Sequence, residues 1–314
     1  VNYKYKGIRK TLKEILFVSI PMSIAPIIGG INKNIDSMTI VRGLKNFLSE
    51  TDAKLQYGIL SGKVDTLVSF PLSFNSAFTS TLIPVVSSAK ASGNYDNAIR
   101  KIDFSMLIAL LIGLPSTIGM IVLANPILEL LFPNQSSGAF LLQISSISIT
   151  FIMLNQNISA VLHGLGKTII PAVSLVISSI IKLILNTVLV KINPGTFILG
   201  GTAGAAFATV ISHIFSFLIS LYILRKNIKI KFGIRSIIKP MVATIMMTIC
   251  MIFTYNNLLR IVSEKMCIIL TIFSAIIIYI VLILILRVFS EKEIKMLPFG
   301  EKLYCILQML KIYR

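Results

Sequence analysis

Three charged side chains, Lys63, Asp65 and Lys182, lie in stretches of this sequence that are otherwise apolar. A charged group near the centre of a bilayer costs at least about 2.5 to 3.5 kcal/mol, so one that is retained usually faces a partner or a water-filled cavity. Lys182 and Asn186 are four residues apart and therefore share one face of a helix. This pattern predicts a hydrated cavity that is electropositive in part.

Further polar residues occur in or beside the same apolar stretches and could line such a cavity. They are Asn32, Asn34, Asp36, Arg42, Asn75, Gln143, Asn155, Gln156 and Asn157. Amides in membrane bundles also serve to bridge neighbouring helices, so some of this set are expected to be structural.

Residues with the spacing of a catalytic or metal site are not found. His163 and His213 are too few and too distant for a metal triad, and the three cysteines lack the short spacings of zinc or redox sites. No carboxylate pair or Ser/His/Asp set stands out either. We therefore expect no metal, no cofactor and no enzymatic activity.

The elements that hold these residues are set by composition. The 314 residues are 55% apolar and 13% charged, with a mean hydropathy of +0.88, which argues for a bilayer rather than an aqueous exterior. The net charge of +18 could suggest nucleic-acid binding, but the basic residues lie between apolar runs. Orientation in a membrane explains them better, and we expect no nucleic-acid partner.

Eight segments are long and apolar enough to span a membrane, which takes about 20 residues. The chain is thus predicted to be all-α, a polytopic membrane helix bundle. The predicted spans are Ile15 to Asn32, Gly62 to Val86, Phe104 to Ala124, Ala139 to Leu162, Thr168 to Val190, Ile198 to Leu224, Pro240 to Leu259 and Met266 to Leu286.

Basic residues predict the orientation of these spans. Of the 30 Lys and Arg residues, 21 fall on the side of the two termini, 7 in the opposite loops and 2 within spans. The positive-inside rule therefore places both termini in the cytoplasm.

The expected organisation has five parts. These are a cytoplasmic basic segment (1–14), a six-helix transmembrane lobe (15–224), a basic cytoplasmic loop (225–239), a C-terminal transmembrane helix pair (240–286) and a cytoplasmic amphipathic tail (287–314). In the sixth span, a ridge of small residues every four positions predicts close helix packing. The ridge is formed by Gly200, Gly204, Ala208, Ser212, Ser216 and Ser220.

Several motifs occur in an order that is more specific than any one of them. They are Asn34-Ile35-Asp36-Ser37 before Arg42, Tyr57 to Gly62 before Phe70-Pro71-Leu72, Leu82-Ile83-Pro84 with Gly93-Asn94-Tyr95, Gly164 to Pro171, Ile181 to Asn186, and Gly200 to Ala206. This order resembles the polysaccharide-exporter and stage V sporulation protein B family. Its superfamily also holds lipid II flippases and multidrug and toxin extruders.

The resemblance implies a fourteen-span transporter with two six-helix lobes and a C-terminal helix pair. This chain would supply spans seven to fourteen, and its partner would be the missing N-terminal lobe. The implied activity is to move undecaprenyl-diphosphate-linked saccharides or peptidoglycan precursors across the bacterial cytoplasmic membrane by alternating access.

Under this hypothesis, the cationic candidates supply positive potential for a lipid diphosphate, which is costly to desolvate without cations. They are Arg42, Lys63 and Lys182. The amides Asn75, Asn155 and Asn186 are expected to bind sugar hydroxyls.

Two alternatives stay open from the sequence. A cation-coupled multidrug extruder of the same superfamily would use Asp36 or Asp65 to bind protons or cations. A membrane-embedded glycan-processing enzyme would need a nucleophile or a general acid/base pair within reach of its substrate.

Overall fold

The computed structural model describes residues 8–133, 135–228, 233, 235–294, 300, 301, 304 and 308. Within these residues the chain is helical and contains no strand. A π-helical turn, Ile59–Val64, joins α2 directly to α3. The α-helices are α1 Ile8–Leu44, α2 Glu50–Gly58, α3 Asp65–Ser92, α4 Asp96–Val122, α5 Ala124–Leu131, α6 Ala139–Ser146, α7 Ser148–Gly164, α8 Ile169–Leu189, α9 Gly201–Asn227, α10 Arg235–Leu258, α11 Glu264–Ile285 and α12 Glu291–Ile294.

Six helical segments in the described residues are long and apolar enough to cross a membrane. They correspond to α4, α6 with α7, α8, α9, α10 and α11, and they match the last six predicted spans. This confirms the predicted all-α membrane bundle, while the predicted number of eight spans is approximate. The first two predicted spans coincide with α1 and α3, which are 37 and 28 residues long. Helix α3 is less apolar than the six segments named above because many of its residues are Ser and Thr.

The main core is built around α7. Its side chains Ile149, Met153, Ile158 and Leu162 are fully buried and belong to one apolar cluster with residues of α1, α3, α4, α6 and α9. Their spacing of four to five residues puts them on a broad face that a neighbouring helix can cover. Helix α7 therefore holds α3, α4 and α9 around it.

The ridge of small residues on α9 packs as the sequence predicts. The small residues from Gly204 to Ser220 are buried. A Cβ atom added at Gly204 would lie 2.7 Å from Cβ of Leu189, near the end of α8. The absence of a side chain at Gly204 thus allows α8 and α9 to approach closely.

The turn between α7 and α8 is fixed by side chains from α3. The backbone of Gly166 has φ +75°, which favours glycine. Lys90 Nζ donates to the carbonyl of Leu165 at 2.7 Å, and Ser87 Oγ donates to the carbonyl of Gly164 at 3.0 Å. These bonds cap carbonyls at the end of α7 and so position the start of α8.

A second apolar cluster joins α10 and α11 to α4. It contains Leu107 and Leu111 of α4, Ala243 and Met247 of α10, and Tyr279 of α11. The division into a lobe and a C-terminal pair stays a prediction. Parts of the predicted basic segment (1–7), basic loop (229–232 and 234) and most of the amphipathic tail beyond 294 lie outside the described residues.

Candidate functional site

A cavity of about 540 Å³ lies among the helices of the main core. Its walls come from α1, α2, the π-helical turn, α3, α6, α7, α8 and α9. Among the described residues, the Lys, Asp and His side chains that line it are Lys33, Asp36, Asp65, Lys182 and His213. The predicted polar cavity is therefore present, with at least two carboxylates facing its lysines.

Hydroxyl groups form much of the remaining polar surface of the cavity. Ser and Thr side chains are contributed by the π-helical turn, α3, α6, α7, α8 and α9, and Tyr57 by α2. The Ser and Thr residues are Ser61, Thr66, Ser69, Ser145, Ser148, Ser178, Ser179, Thr209 and Ser212. Each hydroxyl can both donate and accept a hydrogen bond, so this lining suits water or a ligand rich in hydroxyls.

An ion pair between α1 and α8 lies in the cavity wall. Lys182 Nζ donates to Oδ2 of Asp36, and Nδ2 of Asn186 donates to Oδ1 of the same carboxylate at 3.0 Å. The side chains of Lys182 and Asp36 are 18% and 16% exposed. The charge of Lys182 is thus balanced within the protein.

Local helix geometry explains how these groups meet. Lys182 and Asn186 lie one turn apart on the face of α8 that contacts α1. Asn32 and Asp36 are likewise one turn apart on α1, and Asn32 Nδ2 donates to Ser179 Oγ at 2.6 Å. Two successive polar contacts therefore join α1 to α8.

A smaller space of about 170 Å³ lies between α1 and α8 and is lined by Ile28, Ile35 and Leu183 among others. Asp36 and Lys182 line both this space and the larger cavity. The ion pair therefore lies between the two spaces.

Two of the predicted ligand amides bridge helices. Nδ2 of Asn75, which is fully buried on α3, donates to the carbonyl of Met153 at 3.1 Å and to Oε1 of Gln156 at 2.8 Å. Asn155 Nδ2 donates to Ser216 Oγ at 3.1 Å and so joins α7 to α9. Neither amide lines the larger cavity.

The other two predicted cations also lie outside the cavity wall. Lys63, in the π-helical turn, donates from Nζ to the carbonyl of Gln135 at 2.5 Å and lies 5.0 Å from the centre of the Phe132 ring. It holds that turn against the connection between α5 and α6. Arg42 is exposed near the end of α1.

Four of the predicted site residues therefore lie together at the cavity: Asp36, Asp65, Lys182 and Asn186. The other four lie elsewhere: Arg42, Lys63, Asn75 and Asn155. Sequence reasoning did not select Lys33, His213 or the hydroxyl lining. The high Ser and Thr content of the apolar spans could have indicated that hydroxyl groups line the cavity. Within the described residues, no group of three His, Cys, Asp or Glu side chains could hold a metal ion.

A sequence model of the family described as lipid II flippase MurJ matches residues 64–297, well over half of the chain. The chain belongs to the lipid II flippase MurJ family. The match begins at the end of the π-helical turn and includes α3, α6, α7, α8 and α9, which form most of the cavity wall. It confirms the flippase superfamily that the sequence motifs indicated.

Two curated relatives of this chain are proteins of Bacillus subtilis (strain 168). Its lipid II flippase MurJ is 31% identical over 174 residues, which are 54% of this chain and 30% of that protein. Its uncharacterized membrane protein YabM is 25% identical over 303 residues, 94% of this chain and 55% of that protein. The chain therefore spans only 30% and 55% of these two relatives.

Solved structures share the fold. A lipid II flippase MurJ in an inward closed conformation has a TM-score of 0.64 at 17% identity, covering 89% of this chain and 55% of that chain. An outward-facing multidrug resistance MATE family transporter has a TM-score of 0.56 at 14% identity, covering 94% of this chain and 70% of that chain. MurJ family membership and this shared fold identify the chain as an integral membrane protein of a transporter superfamily.

Proposed function

We propose that this chain forms one lobe of a flippase for an undecaprenyl-diphosphate-linked saccharide or peptidoglycan precursor. The protein acts in the bacterial cytoplasmic membrane by alternating access, together with an N-terminal lobe, and both ends of this segment face the cytoplasm. The observation that carries the proposal is the polar cavity of about 540 Å³ inside a bundle of apolar helices. Membership of the lipid II flippase MurJ family supports it.

The chemistry of the cavity matches a headgroup that combines sugar hydroxyls with phosphate. Ser and Thr side chains from six elements surround the space and can exchange hydrogen bonds with sugar hydroxyls in place of water. Lys182 and Lys33 provide the positive charge that a diphosphate needs when it leaves bulk water. Lys182 is thereby the proposed phosphate-binding residue, and Asn186 is placed beside it.

For the other predicted substrate-binding residues, a role in binding stays a prediction. Arg42 and Lys63 lie outside the cavity wall, and Asn75 and Asn155 already bridge helices. Conformational change during transport would be needed to bring any of them to a substrate in this cavity.

The two alternatives depend on the cavity carboxylates. A cation-coupled multidrug extruder needs carboxylates that can bind a cation or proton, and Asp36 is already held by Lys182 and Asn186. A membrane-embedded glycan-processing enzyme needs a general acid/base pair at the substrate. In the same assay, the multidrug extruder would move a different cargo, and the enzyme would form a different product.

The test is lipid flipping by the full-length gene product in proteoliposomes. A fluorescent undecaprenyl-diphosphate-linked sugar is supplied in one leaflet, and its arrival in the other is measured. Lys182→Met is expected to reduce flipping to the background of empty vesicles. The matched control, Lys54→Met, changes an exposed lysine of α2 that pairs with Glu50 and should retain wild-type flipping.

Unchanged flipping by the Lys182→Met protein would remove Lys182 from the site. Absence of flipping by the wild type, with efflux of a hydrophobic cation instead, would favour the multidrug extruder. Cleavage or extension of the labelled glycan would favour the enzyme.

A further inference from the structure

Both oxygens of the Asp36 carboxylate are engaged by α8. Lys182 Nζ binds Oδ2, and Asn186 Nδ2 lies 3.0 Å from Oδ1. The pair is less than one-fifth exposed on either side, yet both side chains line the larger cavity. A partly buried lysine is thus held by an anion at the place where the proposed substrate would present its own anion.

The charge of the cavity lining makes this contact important. Two aspartates, Asp36 and Asp65, balance two lysines, Lys33 and Lys182, among the described residues that line it. Because Asp36 already neutralises Lys182, a diphosphate gains net attraction from this lysine only if a phosphate oxygen replaces the carboxylate on the ammonium group. Lys182 is one of these two lysines, and its carboxylate partner is Asp36.

We propose that Asp36 acts as an internal competitor that occupies Lys182 in the empty cavity and is displaced by the phosphate of the substrate. The inference rests on the proposed function and adds to it a residue that determines specificity. An uncharged amphiphile can fill the cavity, but it cannot replace Asp36 on the ammonium group. The contact therefore selects anionic headgroups over neutral ones of the same size.

The space behind the ion pair allows the exchange without separating the helices. Asp36 and Lys182 also line the cavity of about 170 Å³ between α1 and α8. After the exchange, Asp36 can turn towards that space and keep its hydrogen bond with Asn186, or accept one from Asn32 or Ser179, which line the same space. The cost of leaving its carboxylate without a partner is reduced in this way.

Competition of this kind lowers the apparent affinity for the substrate. If Lys182 is released from Asp36 for about a tenth of the time, the apparent Kd is about tenfold above the intrinsic Kd. Asp36→Asn keeps the shape of the side chain and removes its charge. The variant is therefore expected to bind a polyprenyl diphosphate about tenfold more tightly than the wild type.

The experiment measures Kd for the full-length gene product in nanodiscs with two probes, undecaprenyl diphosphate and the uncharged alcohol undecaprenol. Asp36→Asn should tighten binding of the diphosphate and leave the Kd of the alcohol unchanged. The double variant Asp36→Asn/Lys182→Met should bind the diphosphate as weakly as Lys182→Met alone, because the gain acts through Lys182.

A second variant keeps the inference testable if Asp36→Asn fails to fold. Asn186→Leu removes the hydrogen bond to Oδ1 of Asp36 but leaves the carboxylate charge, so it loosens the competitor. It should tighten binding of undecaprenyl diphosphate by a smaller factor than Asp36→Asn, on the order of twofold.

The outcomes separate this inference from the proposed function. If the wild type binds and flips the diphosphate lipid but neither variant binds it more tightly, Asp36 is only a structural partner and this inference is overturned alone. Tightening for both undecaprenyl diphosphate and undecaprenol would also overturn it, because the effect would not depend on charge. A wild type that binds no undecaprenyl diphosphate overturns the proposed function and this inference with it.

Discussion

The close contact between α8 and α9 at Gly204 leads to a quantitative prediction for Gly204→Ala. The added Cβ would lie 2.7 Å from Cβ of Leu189, 2.8 Å from the carbonyl oxygen of Leu199 and 3.1 Å from the backbone carbon of Leu189. Two of these three atoms belong to the backbone, so a rotamer change alone cannot relieve the contact. Overpacking of this kind costs about 1 to 3 kcal/mol.

A second glycine isolates that steric cost. Gly119 lies inside α4, and a Cβ added there would meet no atom within 4 Å. Replacing glycine with alanine in a helix favours folding by about 1 kcal/mol through backbone entropy alone. Because this gain is common to both sites, the difference in unfolding free energy between Gly204→Ala and Gly119→Ala measures the crowding at α9.

The assay is equilibrium unfolding of the purified protein, titrated from dodecylmaltoside into sodium dodecyl sulfate and followed by circular dichroism. We expect Gly119→Ala to be about 1 kcal/mol more stable than the wild type. Gly204→Ala should lie about 1 to 3 kcal/mol below Gly119→Ala. Equal stability of the two variants would refute the packing of α8 against α9 described above.

Two further predictions concern single contacts. The pKa of the exposed Glu50 carboxyl lies at about 2, below its ordinary 4.5, because Lys45 and Lys54 donate hydrogen bonds to it. The contribution of the ionised Glu50 to stability is therefore present above pH 4.5 and is lost as the pH falls through about 2. ¹³C NMR of the Glu50 carboxyl should show this titration, and Lys45→Ala should raise the pKa of Glu50. Asn75→Leu removes two hydrogen bonds that cross to α7 and should lower the unfolding free energy by about 1 to 3 kcal/mol in the detergent titration. The control Ser76→Ala, on the exposed face of α3, should leave the unfolding free energy unchanged. Equal effects of the two substitutions would contradict the bridging role of Asn75.

Much of the helical framework could be predicted from the sequence because apolar runs of about 20 residues report directly on membrane helices. The shared face of Lys182 and Asn186 was also predictable, since it depends only on the pitch of a helix. The structure places both side chains on one carboxylate, that of Asp36. The ridge of small residues on α9 could also be predicted, because it depends only on a repeat of four residues along a helix.

The partners of the polar residues could not be predicted in the same way. Asp36 and Lys182 are 146 residues apart in sequence, and helix periodicity contains no information about which helix lies opposite. Amides such as Asn75 look alike in sequence whether they face a cavity or bridge two helices. The position of Lys63 depends on a π-helical turn, a local irregularity that the apolar pattern does not reveal.

Native mass spectrometry can show whether the cavity binds a lipid diphosphate through Lys182. The full-length gene product is purified in mild detergent, and the lipids that stay bound are identified for the wild type and for Lys182→Met. We predict that a polyprenyl-diphosphate species remains on the wild type and is lost from Lys182→Met. A polyprenyl diphosphate retained equally by both proteins, or bound by neither, would contradict binding through Lys182.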